Sequence, residues 1–308
     1  MSKKSLTDVV KLSRPEKEKK LNDVLALMRK TKTGKEVLAS MEKTGFKCSI
    51  ETGIGNVFGF CDTDKKKIAL NAVVENETLA AVLSHEILHA VQFGKDPTIF
   101  DTDRTRVSDT YKKQRGMEAD ACAHQAAFVY EAKKAGIAVE MPSGYEPIFE
   151  TYSKEIEKTK NKKQAMNAAF KAWYKSTPIM DWYDNFYKTC ISDAINNLIC
   201  ANVKTRFKGN VTDEHLANVF DYKGKPYVEP EFFSSPEAYC LKQSDKRKVM
   251  SDMKLYSKIT GAPLDTSVLG MATRDETRKA VQSKRKNQAK SNKSAATAAL
   301  IASKTKQR

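Results

Sequence analysis

The chain has 308 residues, enough to bury a sizeable core in one large domain or two smaller ones. Its net charge is +16, but roughly +9 of that comes from residues 272–308, which leaves the body only about +7 and names no polyanionic partner for it. No window approaches the ~18 apolar residues of a membrane span, so a membrane-embedded class is excluded and a soluble protein is expected.

Ser13, Pro15 and Glu16 have the spacing of a helix start, and Leu21, Leu25 and Met28 give that helix an apolar stripe. Thr33 with Glu36 reads as a second capping box, opening a helix that Gly45 is placed to end. Strand signals follow. Phe46, Cys48 and Ile50 alternate with polar residues, and Val57–Phe60 come after a Gly-rich turn. Asp62–Lys65 reads as a hairpin turn into a third strand, Lys67–Asn71. This small sheet runs directly into a helix expected to start near Asn76.

A polar loop is expected from Phe93 to Arg115, then a strong helix from Gly116 to Ala135. Further helices are expected over 165–174, 182–198, 213–220 and 244–259, with a turn at Lys223–Pro226. Beyond Met271 the composition falls to Lys, Ala, Ser, Thr and Gln, which predicts a disordered basic tail. The class is α+β, divided as N-terminal helices at 1–44, a core with helical extension at 45–200, a small subdomain at 201–271 and the tail at 272–308. Six cysteines are scattered without a CxxC pair, and no apolar signal segment follows Met1. Reduced thiols in a cytoplasmic compartment are expected.

The chemistry-bearing stretch is His85-Glu86-Ile87-Leu88-His89, a HExxH segment. On a helix, His85 and His89 lie about 40° apart, while Leu83, Ile87, Ala90 and Val91 occupy the opposite side. One face can therefore hold two imidazoles while the other is buried, which suits a zinc-binding helix. Glu86 lies about 100° round from His85, able to reach a water there without being a ligand. The plain alternative is an amphipathic helix with two surface histidines. With four histidines in the whole chain, chance spacing of this kind is rare.

Zinc on two histidines needs at least one more protein ligand. The next helix offers Glu118, Asp120, Cys122 and His124, which do not all share one face. Glu118 is preferred, because Ala121, Cys122 and Gln125 around it are small enough for the HExxH helix to approach closely. His124 or Cys122 could replace it as third ligand, and Asp120 could orient a ligating histidine. An ordinary first-turn acid is the bland reading of Glu118.

His85-Glu86-x-x-His89 followed by Glu118-x-x-Ala121 resembles the gluzincin metallopeptidase signature. Leu83-Ser84-His85-Glu86-x-x-His89-Ala90-x-Gln92 with Met117–Ala121 further resembles an uncharacterised family of metallopeptidases in bacteria and their phages. The resemblance covers about residues 45–135, with Leu88 where minimal gluzincins often carry Gly. It implies a zincin-like core in 45–200 and hydrolysis of a protein or peptide substrate. Zn²⁺ would be held by His85, His89 and Glu118, with Glu86 as general base. It would also give Ile68–Asn71 the role of a substrate-pairing edge strand, and a phage origin would place the protein in host cytoplasm or virion.

Tyr111, Arg115 and His124 are near enough in sequence to assist a developing oxyanion, though each is better explained by an ordinary surface or core role. The aromatic run Phe170, Trp173, Tyr174, Trp182, Tyr183, Phe186 and Tyr187 has the helical spacing of core packing rather than of a peptide cleft. His215 stands alone in a polar helix and is expected to be exposed. A rival reading makes the metal a structural staple and assigns polyanion or nucleic-acid contact to the basic tail. Structural zinc sites, however, are normally closed by four ligands rich in cysteine.

Overall fold

The computed structural model describes residues 11–277, together with Lys279 and Ser283. The predicted basic tail, and the polyanion contact assigned to it, otherwise lie outside the described residues.

Two helices open the fold, α1 (Arg14–Arg29) and α2 (Lys32–Thr44). The start of α1 is as its sequence predicts: the Glu16 carboxylate accepts from the Ser13 backbone N–H at 2.8 Å and its hydroxyl at 2.6 Å. The start of α2 differs. Thr31, not Thr33, caps it, accepting from Gly34 N–H at 2.9 Å. The N–H of Thr33 donates instead to Glu131, 98 residues downstream, so a tertiary carboxylate does what Glu36 was expected to do locally. Gly45 ends α2 at φ 74°, a left-handed position where a side chain would be strained.

Strands β1 (Lys47–Glu51), β2 (Gly59–Asp62) and β3 (Lys67–Asn71) form one sheet in the order β1-β3-β2. β3 pairs parallel with β1 and antiparallel with β2. It is thus the central strand, and its residues Ile68 to Asn71 are all buried. The substrate-pairing edge expected at Ile68–Asn71 is therefore misplaced, and the edge strand on the hairpin side is β2. A run apolar on both faces belongs in mid-sheet.

Helix α3 (Asn76–Lys95) carries the HExxH segment and is buried without a break from Leu79 to Ala90. Helix α4 (Val107–Lys134) lies against it and begins nine residues before its predicted start. Two features hid that beginning. Gly116 looks like a boundary but sits inside the helix, where a Cβ would come within 2.4 Å of the Phe220 ring. Asp109, Lys113 and Arg115 before it look solvated but are buried. Lys113 donates to the carbonyls of Thr98 and Asp101, and Arg115 forms a two-pronged ion pair with Asp184 at 2.7–2.8 Å.

The C-terminal half is mostly helical: α5 (Glu146–Thr159), α6 (Lys162–Lys175), α7 (Thr177–Cys200), α8 (Asp213–Val219) and α9 (Gln243–Thr260). A hairpin, β4 (Asp221–Tyr222) and β5 (Lys225–Pro226), turns at Lys223–Gly224 as predicted. A further pair joins β6 (Cys240–Leu241) in parallel with β7 (Ala272–Thr273). Arg274 then pairs with Asp181 and Asp184. The first residues assigned to the tail thus belong to the folded body, held by a sheet register and an ion pair that composition does not encode.

Helix α4 serves two apolar cores. Ala121, Phe128, Val129 and Ala132 pack with α1–α3 and the sheet, while Ala119, Cys122, Ala123 and Ala126 pack with the later helices. Among the described residues, no helix is long and apolar enough to cross a membrane. All six cysteines are free.

Candidate metal centre

Helices α3 and α4 can approach closely because small residues face each other at their contact. Ala81 and Ser84 on α3 and Ala121 on α4 are fully buried. The contact is also tied by polar bonds. Gln125 donates across to the Ala81 carbonyl at 3.0 Å, which also accepts, within α3, from the Ser84 hydroxyl at 2.7 Å.

That approach brings three predicted residues together. Nε2 of His85 and Nε2 of His89 lie 3.0 Å apart, and Glu118 reaches them at 3.3 and 3.6 Å through its two carboxylate oxygens. All three side chains are buried, their ligand atoms lie within 4.8 Å of one another, and together they could hold a metal ion. Glu118 stands well inside α4 rather than in its first turn, so the helix dipole does not account for it. Among the described residues, its Oε2 has no hydrogen-bond partner. A buried carboxylate oxygen left unpaired is costly, and a cation would remove that cost.

The histidine nitrogens agree with this. Nδ1 of His89 lies 2.9 Å from Gln92 Oε1, and Gln92 Nε2 donates to Asp120 at 2.7 Å and to the Met117 carbonyl at 3.1 Å. Both of the latter partners accept only, so the amide oxygen of Gln92 must face His89, whose Nδ1 must then carry the proton. In the neutral ring, the lone pair is left on Nε2, facing Glu118. Asp120 thus acts on a histidine as its sequence position allowed, but through Gln92. Tyr227 steadies it with a 2.6 Å hydrogen bond.

The other ligand candidates are turned elsewhere. Cys122 lies 3.9 Å from Nδ1 of His85, the nitrogen facing away from Glu118, and burial pushes its thiol well up, so it stays protonated. His124 lies 3.3 Å from the Asp221 carbonyl and 3.5 Å from Asp120, packed against Tyr222 and Tyr227. Burial lowers its pKa. Among the suspected oxyanion partners, Arg115 is committed to Asp184, and Tyr111 is fully buried. His215 is exposed, as expected, but is not alone: it pairs with Asp96 at 2.9 Å.

A cleft of about 420 Å³ opens beside His85 and Glu86. Its walls come from Asn56–Gly59 leading into β2, from the Pro142–Tyr145 segment, and from the start of α7 at Pro178, Ile179, Trp182 and Tyr183. The hydroxyls of Tyr145 and Tyr183 are 3.2 Å apart on one side of it. These tyrosines were missed as site residues because they are remote in sequence from the HExxH segment, and Tyr183 was read as core.

The two carboxylates of the site are driven apart electrostatically. Burial pushes Glu86 up to about 7, with His89 opposing and Glu118 adding to the rise. Burial would raise Glu118 too, but His89, His85 and the Tyr183 hydroxyl outweigh it and hold that carboxyl below its ordinary value. An ionised carboxylate beside two imidazoles and a second carboxyl poised near neutrality suit the separate tasks of ligand and base.

Comparison with curated proteins and with solved structures finds no match. Residues 4–218, well over half of the chain, match the model of the family described as "Putative metallopeptidase family (DUF6782)", so this chain belongs to that family.

Proposed function

We propose that the chain is a zinc-dependent metallopeptidase of gluzincin type, hydrolysing peptide bonds with Glu86 as general base. The observation that carries this reading is the convergence of His85, His89 and Glu118 with an orphaned carboxylate oxygen, next to a glutamate that lines an open cleft. Two imidazole nitrogens and one carboxylate, with no fourth ligand among the described residues, fit a catalytic zinc better than a structural one. The same donor set argues against the metal as a mere staple.

His85, His89 and Glu118 would hold the metal. When bound, zinc supplies a Lewis acid that polarises a carbonyl and acidifies water. The residues of the chain do the rest. Gln92 keeps the Nε2 lone pair of His89 directed at the site. Glu86 takes the proton of the attacking water and delivers it to the leaving amine, a task suited to a carboxyl poised near 7. Tyr183 and Tyr145 line the same cleft, and their O–H groups would turn from Glu118 and from each other to meet the charge that develops on the carbonyl oxygen. The segment Asn56–Gly59, continuous with the edge strand β2, gives an extended substrate a backbone to lie along.

The test is metal content and peptide hydrolysis on the purified protein. About one zinc per chain is expected, lost in His85→Ala and Glu118→Ala. Glu86→Gln should keep the metal and lose turnover by roughly 10²–10⁴-fold. Full activity in Glu86→Gln would overturn the mechanism, and zinc retained in Glu118→Ala would overturn the ligand set.

A further inference from the structure

The aromatic run on α7 divides into two faces. Tyr183 and Tyr187 are buried, whereas Trp182 is 60% exposed and Phe186 50% exposed. The exposed pair is one helical turn apart and stacked, with ring centroids at 5.8 Å and planes within 10°. Core packing, the expectation for the whole run, explains only the inward face. A surface helix has no internal reason to hold a tryptophan and a phenylalanine stacked in water, where a bulky ring gains nothing from burial.

Their position supplies the reason. Trp182 forms part of the cleft wall, and its ring packs edge-on against Tyr183 at 4.8 Å. Across and around the cleft stand Val57, Phe58, Val82 and Ile179, with Val57 itself 39% exposed. Among the described residues, the ionisable side chains of the lining are His85, Glu86 and the two tyrosines, with no lysine, arginine or aspartate. Glu86 is committed to the cleavage step, so a charged substrate side chain entering here would lose water without a counter-ion of its own. An apolar one would be buried against an indole and its neighbours.

We propose that Trp182, supported from behind by Phe186, forms a hydrophobic subsite of the cleft. It would select peptides that carry an aromatic or long aliphatic residue beside the scissile bond. The assignment rests on the metallopeptidase reading for the cleavage step, but not for the binding itself. Phe186 acts by holding the indole plane across the cleft mouth, so it is a positioning residue, whereas Trp182 touches the substrate.

The experiment uses the full zinc-loaded chain and fluorescein-labelled hexapeptides, neutral at both ends. They differ at one central residue: Phe, Leu, Ala or Lys. Binding is read by fluorescence polarisation in the Glu86→Gln protein and cleavage by chromatography in the wild type. Phe and Leu peptides are expected to bind about tenfold or more tighter than the Ala peptide, and Lys no better than Ala. Trp182→Ala should bring Phe and Leu down to the Ala level, Phe186→Ala should do so in part, and Leu255→Ala, an exposed apolar residue of α9 outside the cleft lining, serves as the unchanged control.

Equal binding of all four peptides, or a Phe preference that survives Trp182→Ala, would overturn the subsite. Circular dichroism and zinc content of Trp182→Ala separate a lost subsite from a lost fold. Selective, Trp182-dependent binding without cleavage in the wild type would uphold the subsite and sink the peptidase. Cleavage without selectivity would do the reverse.

Discussion

His89 and Gln92 share a hydrogen bond of 2.9 Å that leaves the second nitrogen of the imidazole free to bind a metal. The bond spans three residues of one helix, yet it is directional only because Asp120 and the Met117 carbonyl on α4 hold the amide in one orientation. Replacing Gln92 by Leu keeps most of the volume and removes the orientation. Zinc affinity should fall about 10–100-fold, with a smaller fall in Asp120→Asn. Competition against a chelator measures both, and unchanged affinity in Gln92→Leu would mean that helix packing alone sets the ring.

Tyr183 contributes a hydroxyl beside Glu118, and Tyr145 a second hydroxyl 3.2 Å from it. Tyr183→Phe removes one donor without opening the wall. The expected loss is in kcat, by roughly 10²–10³-fold, with KM moving far less and one zinc retained. A loss confined to KM would make the hydroxyl a substrate-binding group instead.

The metal-free protein should lose stability as pH rises through the window set by Glu86. Burial lifts that carboxyl from 4.5 to about 7, so between those values the folded chain keeps a proton that the unfolded chain releases. Stability therefore declines from about pH 4.5 to about pH 7 and levels off above it. Glu118 acts in the opposite sense and in a lower window. Its pKa is depressed, so its contribution is complete above the ordinary value and is lost as pH falls through the folded one. Urea unfolding of the chelated protein at about pH 5 and about pH 8 should show the decline in wild type and not in Glu86→Gln. Parallel slopes in the two proteins would count against a raised Glu86.

Gly116 reverses the usual rule for a helix interior. Alanine there should favour the helix by about 1 kcal/mol, but its Cβ would meet the Phe220 ring at 2.4 Å. Overpacking of that kind costs ~1–3 kcal/mol, so Gly116→Ala is expected to destabilise. Phe220→Leu in the same chain should recover part of the loss. A more stable Gly116→Ala would mean that the ring shifts freely.

The metal face was legible locally. Two histidines at i and i+4 share a helix side in any fold, and the turn residues Gly45 and Lys223–Gly224 stop or reverse the chain by their own backbone preferences. The choice of Glu118 over Cys122 and His124 could be argued from small neighbours, but only the packing of α4 on α3 shows which side chains turn inward.

The start of α4 was not legible. Lys113, Arg115 and Asp109 read as solvated charges because their partners lie at Thr98, Asp184 and Arg106, and two of those are contacts that no window of neighbouring residues contains. The start of α2 was misplaced in part for the same reason: Thr31 caps it locally, but Glu131, from another helix, takes the Thr33 N–H that Glu36 was expected to take.

The chain by itself determined most of its helices, the three strands of the first sheet and the HExxH face, because periodicity, capping and turn chemistry act over a few residues. Tertiary structure alone decided that β2 and not β3 is the sheet edge, and that Gln92 relays Asp120 to His89. It alone set Tyr145, Tyr183 and Trp182 beside Glu86. Those relations depend on which surfaces pack against each other. Burial, and with it the pKa of Glu86 and the value of every unpaired charge, exists only after that packing has formed.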